Sequence, residues 1–394
     1  MPSSVIVVHP TYRVLGGAER VSLGIVKALL NESFYVDILT FNRGLLLKLL
    51  SKELSNNKCN KLTIHEIPVV EGVPSLNRAL LQGLVATLAL KKFKKGSIVI
   101  NTKFNELLAP GDVLYMHYPF WLVASQNPHD LSLMIGPALG KPVNPIYYYY
   151  LKMIGNFYNR VSLKLIERAE HLLFNSVYTY TLFTYYSKHN VLVESPKDKL
   201  MVLNPPIDER FFKLNIRDKE NLLVLRLKGV RPDIASEIIS KLSSALRSWK
   251  IVVIGYSDQN YEKLIRGKLA SLDNIGIAFN IDENEKLRLL AKAKVYIHPV
   301  MYEHFGILVG EALASGCRVV VHKFTGIVHD LLLKHPWQTV SKCIKVYNSH
   351  DEIPELVFEL LQEDVEPEIC RRLVMDFREE VFMNNVKKLI GNLL

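Results

Sequence analysis

The chain has 394 residues, 49% of them hydrophobic and 22% charged, enough for roughly two domains with real cores, which excludes disordered, collagen-like and low-complexity classes. Its 49 basic and 39 acidic residues leave a net charge of +10, and the excess is lopsided: residues 1–204 hold 22 basic against 13 acidic residues, the remainder 27 against 26. A basic first half can attract nucleic acid, anionic lipid or phosphate-bearing substrates, although solvated lysines serving solubility are its ordinary use.

Short apolar runs at 5–8, 36–41, 62–67, 98–101, 113–116 and 171–175 alternate with longer stretches of helical spacing, a β/α alternation. It restarts after Pro205-Pro206 with strands at 222–227, 251–255, 275–279, 295–298 and 319–322, separated by helical stretches such as 234–246. This predicts an α/β protein of two Rossmann-like, doubly wound domains, at 1–205 and 206–375, with residues 205–220 as the interdomain linker. A C-terminal helix at 376–394, carrying Phe382, Val386, Leu389, Ile390 and Leu393 on one face, is expected to pack back on the first domain. No basic leader precedes residues 5–8, and the best apolar candidate, 79–90, is too short to span a bilayer. Cys59, Cys317, Cys343 and Cys370 form no C-x-x-C pair, so neither a zinc knuckle nor a disulfide scaffold is expected and a reducing cytoplasm fits.

Two stretches carry chemistry. After the first strand, Gly16 and Gly17 open a helix, where free amides and a positive dipole end suit an anion; a plain tight turn is the alternative. The second stretch runs from Tyr302 to Gly316. Glu311 stands in it among apolar and small residues with no lysine or arginine adjacent in sequence, so backbone amides, another domain or ligand hydroxyls must satisfy it. Glu303 precedes the same helix, where ligands of open α/β sheets collect. His298, His304, His322 and His329 lack a ligand spacing and read as structural rather than zinc-binding.

These motifs resemble GT-B glycosyltransferases of family 4. The glutamate pair Glu303 and Glu311, the Gly16-Gly17-Ala18-Glu19-Arg20 loop, His117-Tyr118-Pro119, Asn175-Ser176 and Asn204-Pro205-Pro206 all carry the resemblance. Within the family, His9-Pro10 and Glu303-His304-Phe305-Gly306 are most similar to mannosyltransferases that extend lipid-linked oligosaccharides for asparagine-linked glycosylation. The resemblance implies a GT-B architecture with two domains facing a central cleft, and a retaining hexosyltransferase. The donor is a nucleotide diphosphate sugar, GDP-mannose favoured, and the acceptor a polyprenyl-linked glycan or glycolipid. It implies that Glu311 holds the ribose and that Glu303 lies beside the transferred sugar with His304, Phe305, Gly306, Ile307 and Leu308. Arg226, with Arg231 or Lys228, would clamp the diphosphate, and His117 would face the sugar as the catalytic partner of Glu303. No cofactor is implied and, without an Asp-x-Asp sequence, no metal. Phe324-Thr325-Gly326 departs from the family's glycine pair, which keeps a non-catalytic nucleotide-sugar-binding protein as a rival. A nicotinamide-dependent oxidoreductase using Asp37 is a second, disfavoured by the missing G-x-G-x-x-G. Nucleic acid is not expected, since no aromatic-and-basic motif accompanies the charge. Residues 44–54 and 146–157, short, apolar and basic, predict a peripheral seat on the cytoplasmic face of an anionic membrane.

Overall fold

The computed structural model describes residues 4–13, 15–53, 60–69, 75–93, 96–127, 145–187, 199–227, 230–256 and 259–393. The chain divides into two compact units. The first comprises Met1–Leu131, Asn144–Pro206 and Glu379–Leu394, and the second is built on Ile207–Arg378.

Among the described residues the first unit holds seven strands: β1 (Ser4–Val8), β2 (Tyr35–Thr40), β3 (Leu62–Glu66), β4 (Ile98–Asn101), β5 (Val113–Met116), β6 (His171–Phe174) and β7 (Leu200–Val202). Their order is β3-β2-β1-β4-β5-β6-β7, all parallel. The second unit holds six: β8 (Glu220–Arg226), β9 (Lys250–Gly255), β10 (Ile275–Phe279), β11 (Ala293–His298), β12 (Arg318–His322) and β13 (Ile344–Tyr347). These are again parallel, in the order β10-β9-β8-β11-β12-β13. Crossover helices cover both faces of such sheets, so the central strands are apolar without alternation: Val5 to Val8 in β1 and Leu223 to Leu225 in β8 are all at most 2% exposed. β7 and β13 escape the sequence pattern because they are short edge strands with mixed burial.

In each sheet the first strand of the unit pairs on both sides, β1 with β2 and β4, and β8 with β9 and β11. The crossovers leave in opposite directions there, opening a crevice at the carboxyl ends of the strands. That crevice falls between residues 8 and 101 in the first unit and between Arg226 and His298 in the second.

Residues 207–220 are not an open linker. Asp208 caps the helix Glu209–Phe212 by accepting from the Arg210 amide, and Ile207 and Phe211 are fully buried in the second unit's core. Residues 376–378 belong there too, since Phe377 joins that core and its carbonyl accepts from the Ile207 amide at 2.8 Å. The helix Glu379–Gly391 adds Phe382, Val386, Leu389 and Ile390 to the core of the first unit, and Lys27 pairs with Glu379 at 2.6 Å.

Cysteine spacing was misleading. Cys343, ending the helix Trp337–Cys343, is disulfide-bonded to Cys370 in the helix Pro367–Leu373. The partners are 27 residues apart, a separation that carries no signal in one sequence, and the bond removes the argument for a reducing compartment. Cys317 is free and buried, its thiol directed at the Leu290 and Ala293 carbonyls; Cys59 lies outside the described residues.

Candidate active site

The second unit's crevice gathers charge. Arg226 is the last residue of β8 and His298 the last of β11, so the sheet itself sets them side by side. His298 Nε2 lies 3.1 Å from Glu303 Oε2, and Arg226 reaches the same oxygen at 3.4 Å. Burial works against the Glu303 charge, but the His298 hydrogen bond and the Arg226 guanidinium outweigh it and hold the carboxyl well below the usual carboxylate range. Burial keeps His298 below its ordinary value against the pull of Glu303, so the imidazole is neutral near pH 7. Glu303 remains 27% exposed and Arg226 19%, which leaves both reachable.

Backbone geometry holds Glu303 at the rim. Tyr302 adopts a left-handed φ of 59°, uncommon outside glycine and a mark of a constrained site, and its ring stacks on Phe324 at 5.4 Å. The loops 302–306 and 323–327 are stitched together by Gly326 N–H to the Glu303 carbonyl at 2.8 Å and Ile327 N–H to the Phe305 carbonyl at 2.7 Å. A Cβ on Gly326 would run into the His304 carbonyl, so this chain's Phe324-Thr325-Gly326 keeps the one glycine that close approach requires. Phe305 anchors the loop by burial. Gly306, at φ 96°, turns the chain into the helix Ile307–Ala314. The first amides of a helix have no intrahelical acceptor, so Ile307 and Leu308 open the helix beside Glu303 with donors suited to an anion. His304 is held below its ordinary pKa by burial.

Glu311, only 1% exposed, is satisfied by Lys286 Nζ at 2.8 Å from Oε2. Lys286 lies on the helix Glu283–Lys292, also reaches Glu283 at 3.0 Å, and stands over the Phe211 ring. Nothing in the sequence around Glu311 announces this partner, because it comes from another helix. Arg231 is not drawn to Arg226: it caps the helix Pro232–Ala245, and its exposed guanidinium is spent on Asp233. Lys228 lies outside the described residues. In the sequence His298 reads as structural and Tyr296 does not stand out, yet His298 binds Glu303 and Tyr296 binds His298; the available signal is a polar residue closing an apolar strand just before Pro299.

The first unit's crevice holds a second polar group. His117 follows β5, and its Nε2 donates to the Thr102 carbonyl at 3.0 Å, which leaves Nδ1 as the acceptor. Burial pushes its pKa down to about 3, so it stays neutral. The Gly16 amide donates to Glu19 Oε2 at 3.0 Å, so a carboxylate of the chain itself occupies the helix start at Gly16-Gly17. A Cβ on Gly16 would sit 2.6 Å from that oxygen, so a larger residue there would push the Glu19 carboxylate aside. Glu19 also meets His9 at 3.5 Å and Lys103 at 3.6 Å; burial opposes its charge, but these partners win and hold it at about 2. Asp37, the residue a nicotinamide reading needs, is occupied by His65 at 2.7 Å. Among the described residues, no three His, Cys, Asp or Glu side chains are grouped to hold a metal ion.

Residues 206–374 match the family of glycosyl transferases group 1. The chain is 23% identical over 251 residues to the GDP-Man:Man(3)GlcNAc(2)-PP-Dol alpha-1,2-mannosyltransferase of Xenopus laevis, covering 57% of this chain and 49% of the relative. The mouse enzyme of the same name is 23% identical over 252 residues, 57% and 48% of the two chains. The chain thus spans about half the length of the curated relatives it matches. Among solved structures, WaaG, a glycosyltransferase involved in lipopolysaccharide biosynthesis, superposes with a TM-score of 0.65 at 17% identity over 98% of both chains. Anabaena HepE in complex with UDP and glucose gives 0.64 at 15% identity over 99% of this chain and all of the other.

Proposed function

We propose that this chain, a GT-B fold whose residues 206–374 form a glycosyl transferases group 1 domain, is a retaining glycosyltransferase moving a hexose from a nucleotide diphosphate sugar to a lipid-linked or other membrane glycan. The observation that carries this reading is the convergence of Arg226, Glu303 and the helix start at Gly306 and Ile307 on one crevice. A guanidinium and backbone amides neutralise a leaving diphosphate without a metal, and a carboxylate held ionised beside them suits the hydroxyls or the developing positive charge of a transferred sugar. Similarity to mannosyltransferases acting with GDP-mannose favours mannose. Glu311 takes the ribose hydroxyls in this reading, sharing its carboxylate with Lys286. His117, neutral and with Nδ1 as acceptor, suits a sugar hydroxyl rather than a proton donation. A thermal-shift screen against GDP-, UDP- and ADP-sugars tests the assignment: stabilisation by one nucleotide class and none by NAD is expected, and stabilisation by NAD alone would sink it.

Arg226→Ala is expected to weaken binding of the nucleoside diphosphate by roughly 10- to 100-fold, the range for a charged hydrogen bond, while the nucleoside loses little. Calorimetry showing equal losses for both would remove Arg226 from the diphosphate.

No helix among the described residues is long and apolar enough to cross a membrane. We place the membrane contact on the helix Pro145–Arg168 of the first unit. One face packs on the helix Phe120–Gln126, with Trp121 against Tyr158 at 4.4 Å. The other leaves Tyr149, Met153 and Phe157 exposed by 78%, 65% and 56%, beside exposed Lys152, Arg160 and Lys164. The other candidate, residues 44–54, spends Leu46 and Leu50 on the core. An aromatic stripe with basic flanks gains from apolar insertion and from anionic headgroups, at about 1 kcal/mol per basic residue. Co-sedimentation with phosphatidylglycerol vesicles should be strong at low salt, weaken as salt is added, and drop on charge reversal at Lys152, Arg160 and Lys164. Absence of binding at low salt would favour a soluble acceptor.

A further inference from the structure

Three buried hydrogen-bonding side chains meet behind Glu303, in a sheet whose neighbouring positions are apolar. Val295 and Ile297 of β11 are fully buried, and so are Tyr296 and His298 between and beside them. The Tyr296 hydroxyl lies 2.9 Å from His298 Nδ1, while Tyr347 of β13 donates to the His298 carbonyl at 3.3 Å. A leucine or valine at 298 would fill the strand without burying a polar ring, which costs free energy unless every polar atom is matched. Here the matching is specific. Glu303 as a carboxylate only accepts, so His298 Nε2 carries the proton, Nδ1 is the acceptor, and the Tyr296 hydroxyl donates to it.

We propose that His298 is the positioning residue of this site: with Tyr296 behind it, its Nε2–H aims the Glu303 carboxylate. This rests on the reading above that Glu303 faces the transferred sugar. Two donors converge on one oxygen, His298 from β11 at 3.1 Å and Arg226 from β8 at 3.4 Å. Sharing one oxygen between them leaves the second to face the ligand. The charged and titratable groups around Glu303 are Arg226, His298 and its loop neighbour His304, with Tyr296 behind. Of these, His298 is held rigidly by strand backbone and by a second buried side chain, whereas Arg226 ends a flexible side chain that a diphosphate can recruit. Removing His298 leaves the burial of Glu303 less opposed, so its carboxyl protonates at higher pH.

The test compares His298→Leu, His298→Gln and Tyr296→Phe in the full-length protein, with thermal unfolding to confirm that each folds. In His298→Leu, sugar transfer should fall roughly 10- to 100-fold, as expected when a reacting group is misaimed. The acid limb of its pH–rate profile should move up by about one to two pH units, the worth of a charge-assisted hydrogen bond. His298→Gln should recover most of both, because its amide donates to Glu303 and accepts from Tyr296; Tyr296→Phe should shift the acid limb in the same direction by less. If folded His298→Leu and His298→Gln behave alike with the wild-type acid limb, the proposal is overturned. Should His298→Leu not fold, the glutamine and Tyr296 variants decide, and a wild-type acid limb in Tyr296→Phe together with no recovery in His298→Gln counts against it. Nitrogen-15 NMR of the histidine rings gives a reading independent of turnover. The Nε2–H tautomer is expected in the wild type and should be lost or mixed in Glu303→Gln, and an Nδ1–H tautomer in the wild type would overturn the proposal. If the wild type transfers no sugar from any nucleotide donor, the assigned function fails, and the tautomer alone still judges the role of His298.

Discussion

Lys286→Met is expected to lower the stability of the second unit by about 3–5 kcal/mol, the cost of breaking a buried ion pair by removing one partner. Its partner Glu311 is 1% exposed and Lys286 itself 12%, so in the unliganded chain little water reaches the carboxylate. The methylene stem is retained by methionine, and the loss therefore reports the charge rather than packing. Pairing the change with Glu311→Leu should recover most of it, since apolar residues of similar size commonly replace a buried pair without loss. Denaturant unfolding of the single and double variants reads this directly; a single variant as stable as the wild type would show that Lys286 is not what satisfies Glu311. The same variant bears on the ribose assignment. If nucleotide hydroxyls share Glu311, a nucleotide should stabilise Lys286→Met more than the wild type, because it supplies donors to a carboxylate that has lost its ammonium.

Reduction of the Cys343–Cys370 bond should be the other large effect. With the partners 27 residues apart in sequence, the chain-entropy account gives about 3–4 kcal/mol, or roughly 7–14 °C in the unfolding midpoint of a domain of this size. Both cysteines are fully buried, so reductant acts only after the unit opens, and the comparison is best made by unfolding with and without it. Alkylation of unfolded, unreduced protein should spare both residues. Label on either one would mean that the bond does not form. The bond ties the helix Trp337–Cys343 to the helix Pro367–Leu373, both in the layer that supports β12 and β13, so its loss should loosen that edge before the strands β8 and β11 that carry Arg226 and His298.

What the sequence determined by itself is what local pattern encodes. Apolar runs alternating with helical spacing marked two doubly wound domains, because parallel strands buried on both faces leave no other reading for residues such as 5–8 and 251–255. A glycine pair before a helical run marked Gly16 and Gly17, and an isolated charge marked Glu311, because backbone conformation and charge without a neighbour show in local sequence; Glu303 was marked by its place ahead of the same helix, and Gly306 only by the family resemblance. Partners across the sheet did not show. Lys286 satisfies Glu311, His298 holds Glu303 and Cys343 finds Cys370, each through a contact between elements that pattern cannot register, whereas Glu19 fills the helix start at Gly16 from within its own first turn. Arg226 and Arg231, five apart, read as one clamp in the sequence. The structure separates them, because Arg226 ends a strand and turns toward the crevice while Arg231 begins a helix and spends its charge on Asp233. Which side chains meet at a parallel sheet is decided by strand order, and β8 beside β11 is a property of the folded chain: it sets Arg226 next to His298, residues 72 apart.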